Sequence, residues 1–202
     1  MDWKERLEKG FTINGKHFCV AHLKQFDHDF TIRSLNNREL KCRIEFSSHC
    51  CSDKPLSESI HPDLLVIDEK GNHREFCLTR YKASQLKLKE LVQNLDRAKL
   101  YKGDDRQNVN VYFVEFEYNG KTDVYRIFLN ARKARDPNFD LLIYIESAYL
   151  PYPEDHPRYN VNSIITREKI RKLFHISGAI YLKKRFQNEE IVWSKGPKTR
   201  RR

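Results

Sequence analysis

Polar and apolar residues alternate from Lys41 to Ser47, and this period of two predicts a strand with one buried face. His17–Leu23 and Phe30–Ile32 read as strands separated by Asp27-His28-Asp29, and residues 2–9 suit a short helix. The stretch from Ser48 to Pro62 reads as a loop. Leu64–Ile67 follows as a short strand, and Lys70-Gly71-Asn72 turns the chain back into Arg74–Leu78 as its hairpin partner. Over 84–99 the period changes. Leu88, Leu91, Val92 and Leu95 fall on one helical face, with Ser84 as the expected N-cap and Gly103-Asp104-Asp105 as the stop. Val109–Tyr118 and Asp123–Ala131 then flank Asn119-Gly120, a pair suited to a type I′ hairpin turn. Leu141–Ile145 is apolar on both faces and predicts a central strand, so 109–147 reads as a three-stranded antiparallel meander. Residues 149–160 form a Pro- and Tyr-rich structured loop. Thr166 opens a predicted helix over 167–186, with Ile170, Leu173, Phe174 and Tyr181 toward the body.

Strands, helix, strands, helix is the order of an α+β fold with a mostly antiparallel sheet, a central amphipathic helix and a C-terminal basic helix. One domain over 1–186 and a flexible basic tail over 187–202 are expected. There is no Gly-rich phosphate loop and no βαβ alternation, which argues against Rossmann and P-loop roles.

Composition narrows the class. A 12% aromatic content is too rich for a disordered chain. No window approaches a membrane span, the N-terminal residues lack an apolar signal core, and five cysteines sit at irregular spacing. A cytoplasmic protein with reduced thiols and no membrane association is expected. Charge is distributed unevenly. Residues 166–202 carry 12 Lys+Arg against 3 Asp+Glu, while the preceding 165 residues carry 26 against 25. A near-neutral body with a basic end suits an anionic partner, nucleic acid above all, and RNA before DNA because metal-independent RNA cleavage is the concrete reaction considered. An acidic protein is the alternative partner.

The candidate chemistry lies at strand ends. His49-Cys50-Cys51 offers a nucleophile, an acid–base histidine or packing residues. His73-Arg74-Glu75 and Arg80-Tyr81 offer a phosphodiesterase set or a charged hairpin with an aromatic anchor. Glu146 ends the most apolar strand, with Arg126 as a candidate partner on the adjacent one, as a structural ion pair or a base. Candidate catalytic residues are therefore His49, Arg74, Tyr81, Arg126 and Glu146. Candidate nucleic-acid contacts are Arg167, Arg171, Lys172, Lys183, Lys184, Arg185 and Tyr149, because bases stack on aromatics beside paired phosphates. Adjacent cysteines and the absence of a CxxC pair disfavour zinc, and no metal or cofactor is expected. Asp63 and Asp68-Glu69-Lys70 sit too close in sequence for a PD-(D/E)xK nuclease. Arg171 and His175 are one residue too close for a helical HEPN-type ribonuclease.

Three stretches together resemble a family of small bacterial proteins found in prophages and mobile islands. They are Phe46-Ser47-Ser48-His49-Cys50, Arg80-Tyr81-Lys82-Ala83-Ser84 before a Leu-rich helix, and Ile145-Glu146-Ser147-Ala148-Tyr149. The resemblance covers roughly residues 15–150 and implies a bacterial setting, with phage–host conflict as the context. The element order is also similar to the barnase/RelE-type ribonuclease topology, a fold-level analogy. A nucleic-acid-directed protein, acting as a metal-independent ribonuclease, is one expectation. A non-catalytic binder of nucleic acid or of an acidic protein is the other, and a purely structural role is a third.

Overall fold

The computed structural model describes residues 1–57, 60–102, 110–118, 121–152, 154, 156–157, 169–170 and 172–194, with backbone alone for 115–118 and 121–123. Asp2 opens helix α1, Trp3–Lys9, by accepting a hydrogen bond from Glu5 N at 2.8 Å. Gly10 ends it at φ 67°, where a Cβ would stand 2.5 Å from Phe18 O. The hairpin β1, Phe11–Ile13, with β2, Lys16–Phe18, follows. The strand expected over His17–Leu23 therefore stops at Phe18, and Ala21–Leu23 is a 3-10 turn.

β3, Phe26–Ile32, runs through Asp27-His28-Asp29 without a break. Asp27, Asp29 and Thr31 are exposed while Phe30 and Ile32 are buried, so strand alternation absorbs the aspartates that looked like a turn. β4, Arg38–Phe46, buries Leu40, Cys42, Ile44 and Phe46 as its alternation predicts. Three short strands make a separate sheet in the order β5-β7-β6: β5 Ser52–Asp53, β6 Leu65–Ile67 and β7 His73–Phe76.

The central helix begins earlier than its apolar stripe suggests. α2, Leu78–Ala83, passes through a π-helical turn, Ser84–Leu88, into α3, Lys89–Gln93. Ser84 is therefore interior. It donates to Tyr81 O at 2.8 Å, the local back-bond of a helical serine, and does not cap the helix.

β8, Lys99–Lys102, β9, Asn110–Tyr118, β10, Lys121–Lys133, and β11, Leu141–Tyr149, complete most of the large sheet. The last strand is β12, His175–Ser177, and the order is β12-β8-β9-β10-β11-β4-β3. The β9–β10–β11 meander forms as predicted, although Asn119-Gly120 lies outside the described residues, as do Gly103-Asp104-Asp105 and Thr166. Every pairing in this sheet is antiparallel except β11 with β4, which run parallel. One continuous core joins Phe30, Ile44, Ile127, Leu129 and Ile143 of the sheet to Leu88, Val92, Tyr181 and Leu182 of the helices.

The C-terminal third departs from the expected helix over 167–186. Residues 169–170 are helical, but His175–Ser177 is extended and pairs with β8, and helix α4, Gly178–Gln187, starts only after Ser177 caps it. Phe174 is 42% exposed, whereas Tyr181 is fully buried. The chain also stays docked beyond Gln187. Ser194 bridges His175, and Ile191 and Trp193 pack on the core, within the stretch expected from 187 onward as a basic tail.

Candidate functional site

β4 and β11 lie side by side and parallel, so their carboxyl ends meet at one edge of the sheet. A turn from Ser48 to Cys50 follows β4 there. Ser47 ties the two ends together. Its N–H donates to Ile145 O at 3.0 Å, and its hydroxyl donates to Glu146 O at 2.7 Å while accepting from His49 N at 3.0 Å. The register of β11 on β10 shifts here, with Phe128 opposite Ser147 and Leu129 opposite Ile145, which leaves Glu146 as the extra residue of a β-bulge. Such bulges bend a strand and re-aim its side chains.

His49 projects onto the turn of the small sheet. Its Nε2 lies 3.2 Å from Asp68 Oδ2, and Asp68 is itself buried. Asp68 also accepts from Lys70 N at 2.9 Å, Asn72 N at 2.8 Å and Asn72 Nδ2 at 3.1 Å. Burial pushes the Asp68 carboxyl up, but the hydrogen bonds from Asn72, His49 and Lys70 outweigh it and bring it down to about 2. An ionised carboxylate can only accept, so Nε2 of His49 carries the proton and Nδ1 is left as the acceptor. Burial, then the positive charge of Arg74, pulls the His49 pKa down, with Asp68 opposing. The histidine is thus a neutral base near pH 7, held in one tautomer.

Two arginines stand behind it. Arg80 donates to His49 O at 3.0 Å, pairs with Asp53 Oδ2 at 3.0 Å and lies 4.5 Å from the Tyr149 ring centroid. Arg74 donates to Ser52 Oγ at 3.1 Å and Ser52 O at 3.3 Å. Both are only 7% exposed, so they set the local field and anchor backbone without offering an open phosphate clamp. On the other side, Glu69 accepts from Ser48 N at 3.0 Å. Burial pushes the Glu146 carboxyl up, with Lys70 pulling it down and Glu69 adding to the rise. Cys50 and Cys51 are enclosed, and burial drives both thiols well above their ordinary range. Neither can serve as a thiolate nucleophile.

Of the five candidate catalytic residues, the fold brings His49, Arg74 and Glu146 to this edge. Tyr81 goes elsewhere. Its hydroxyl donates to Cys19 O at 3.2 Å, and its ring sits among Phe18, His22 and Phe76. Arg126 is opposite Tyr149 in the ladder, not Glu146, with its guanidinium 5.8 Å from the Tyr149 ring centroid. No ion pair joins Arg126 to Glu146 among the described residues. Even continued without the bulge, the register would set Phe128, not Arg126, opposite Glu146. Asp68, Asp53 and Glu69 were not among the candidates. An Asp two and four residues before backbone donors that it caps, in Asp68-Glu69-Lys70-Gly71-Asn72, was the available sign of a fixed carboxylate.

The basic candidates divide likewise. Lys183 donates to Ser34 O at 3.4 Å and Lys184 to Glu190 O at 2.8 Å, and Arg185 lies 5.3 Å from the Tyr181 ring centroid. Lys172 is exposed, and Arg167 and Arg171 lie outside the described residues. His175 belongs to β12, so it does not share a helix face with Arg171. Among the described residues no group of three or more His, Cys, Asp or Glu converges as a metal site, and no helix is long and apolar enough to cross a membrane.

The molecule is thus an α+β protein with a mostly antiparallel sheet and a carboxylate–histidine pair where its two parallel strands end. It belongs to the YjaZ family, whose model matches residues 10–177. No curated protein and no solved structure matches the chain.

Proposed function

We propose that this is a nucleic-acid-directed protein that cleaves RNA by metal-independent acid–base chemistry, in the bacterial mobile-element setting its sequence resemblance implies. The observation that carries the reading is the Asp68–His49 hydrogen bond, at the turn whose first residue, Ser47, holds the backbone carbonyl of Glu146. Environment pushes the two titrating groups in opposite directions, the histidine down toward a neutral base and the glutamate up toward a protonated acid. In the reaction His49 Nδ1 takes the proton of a ribose 2′-hydroxyl, and the freed oxygen attacks the adjacent phosphorus. The P–O5′ bond breaks as Glu146 donates its proton to the leaving oxygen. Lys70, within electrostatic reach of Glu146, supplies positive charge for the phosphorane. Arg74 and Arg80 act behind the site, and Tyr81 and Arg126 have no part in the step.

The test is incubation of the purified full chain with total RNA in EDTA. Cleavage that falls by about 100-fold or more in His49→Ala and in Glu146→Gln is expected. RNA left intact at high protein concentration overturns the proposal. A non-catalytic binder is the second reading, favoured by the enclosure of Arg74 and Arg80. Binding would then rest on the basic C-terminal region, weaken steeply with salt, and survive His49→Ala unchanged.

A further inference from the structure

β3 is the last strand of the large sheet, and its outer edge has no backbone partner among the described residues. Beside it lies a cleft of about 850 Å³ at the far end of β4 from His49. Four consecutive residues, His28 to Thr31, line one wall. Successive side chains of a strand point to opposite faces, so a wall of consecutive residues means that the cleft follows the strand's edge. The facing wall is the segment Gln93–Arg97 with Ile180 in the first turn of α4. That wall is firmly placed. Gly178 packs directly on the Leu95 carbonyl, where any Cβ would collide, and Gly178 N donates to Ala98 O at 2.8 Å. His28 Nε2 meets Gln93 O at 3.0 Å and joins the two walls.

We infer that this slot takes an extended peptide segment of a partner protein, added as an eighth strand along β3. Strand edges offer alternating N–H and C=O groups, and another extended chain is their natural complement. Charge defines the occupant further. Asp29, Arg33, Asp96 and Arg97 line the cleft, and the described ion pairs include none of them, so a peptide carrying both acidic and basic side chains finds complementary partners. The His28–Thr31 wall spans about 13 Å at ~3.3 Å per residue, room for about four peptide residues. A second copy of this chain is a poor occupant. Pairing of two β3 edges would set the exposed Asp27 and Asp29 of one copy near those of the other, a like-charge contact that a peptide with basic side chains avoids. A nucleotide is also poor, because the one lining benzene ring, Phe30, is 1% exposed and cannot stack a base.

The test uses the full chain and a displayed library of linear 12-residue peptides, with amide chemical-shift mapping of the peptides recovered. Shifts confined to His28–Thr31, Gln93–Arg97 and Ile180 are expected. N-methylation of alternate peptide nitrogens in one register should cut affinity by about tenfold or more, while methylation in the other register leaves it nearly unchanged. The exposed substitutions Asp29→Lys and Arg33→Glu should each weaken binding by about tenfold. Recovery of no peptide that maps to the cleft, or equal tolerance of both methylation registers, overturns the inference. So does concentration-dependent dimerisation that shifts the same amides without peptide. None of these outcomes depends on RNA cleavage.

Discussion

Asp68 is the residue on which the candidate site turns, and its role can be measured apart from any activity. Its carboxyl ordinarily titrates at 3.8 and in the folded chain at about 2. Because the folded value is lower, the group stabilises the fold above about pH 4, and that contribution is lost as pH falls toward 2. Asp68→Asn should therefore cost about 2 kcal/mol at pH 7, from a shift of nearly two pH units at ~1.4 kcal/mol each. The difference from the parent protein should shrink to near zero by pH 2. Urea unfolding across that pH range checks it, and a pH-independent difference would show that Asp68 acts by packing alone. His49 was visible in the sequence as a polar residue after a strand. Its partner was not, because 19 residues that include β5 and β6 separate them, and only the docking of the small sheet brings them together.

Regular alternation made β4 and the meander legible from the chain alone, since one residue in two must be buried and Leu40, Cys42, Ile44 and Phe46 are. What stayed hidden are the irregular elements. The bulge at Glu146 adds one residue at the end of a run that is apolar on both faces, and no side chain announces it. In the last third, Ile170, Leu173 and Phe174 have helical spacing, yet the short strand β12 claims the next three residues because β8 supplies a ladder partner. Tertiary pairing outweighs a local period over so short a run. α4 is then fixed by Tyr181, whose hydroxyl accepts from Ala131 N at 3.0 Å and Asn110 Nδ2 at 2.9 Å inside the core. Tyr181→Phe keeps the ring but leaves two buried donors without that acceptor, and should cost about 1–3 kcal/mol. Thermal unfolding measures the loss. A change below a few tenths of a kcal/mol would mean that α4 is held by its apolar face alone.

Across the whole molecule, α1 joins the seven-stranded sheet to the three-stranded one. Trp3 Nε1 donates to Phe46 O at 3.0 Å, at the end of β4 and next to the Ser47–His49 turn. Three residues on, the Arg6 guanidinium donates to the carbonyls of Gly10, Pro62, Asp63 and Leu65, the last at 2.7 Å, and Ile67 N donates to Met1 O at 3.0 Å. Ile67 directly precedes Asp68, so α1 holds the carboxylate of the small sheet against the histidine of the large one. Arg6 is 6% exposed, and burial is the main influence lowering its pKa. Its cost is offset by these carbonyls, by the nearby negative charges of Asp63 and Glu5, and by the Phe11 ring 4.3 Å from the guanidinium. Arg6→Met keeps the apolar stem and removes every one of these donors. The expected loss is about 2–4 kcal/mol for the uncovered carbonyls. Its distribution matters more than its size. Amide exchange should quicken across Leu65–Ile67 and His73–Phe76 while β4, β10 and β11 keep their protection, since their ladders do not involve α1. Equal loss of protection in both sheets would instead mean that they unfold as one unit. In that case the His49–Asp68 pair would be a seam inside a single cooperative structure, with no separate docking step to bring its two halves together.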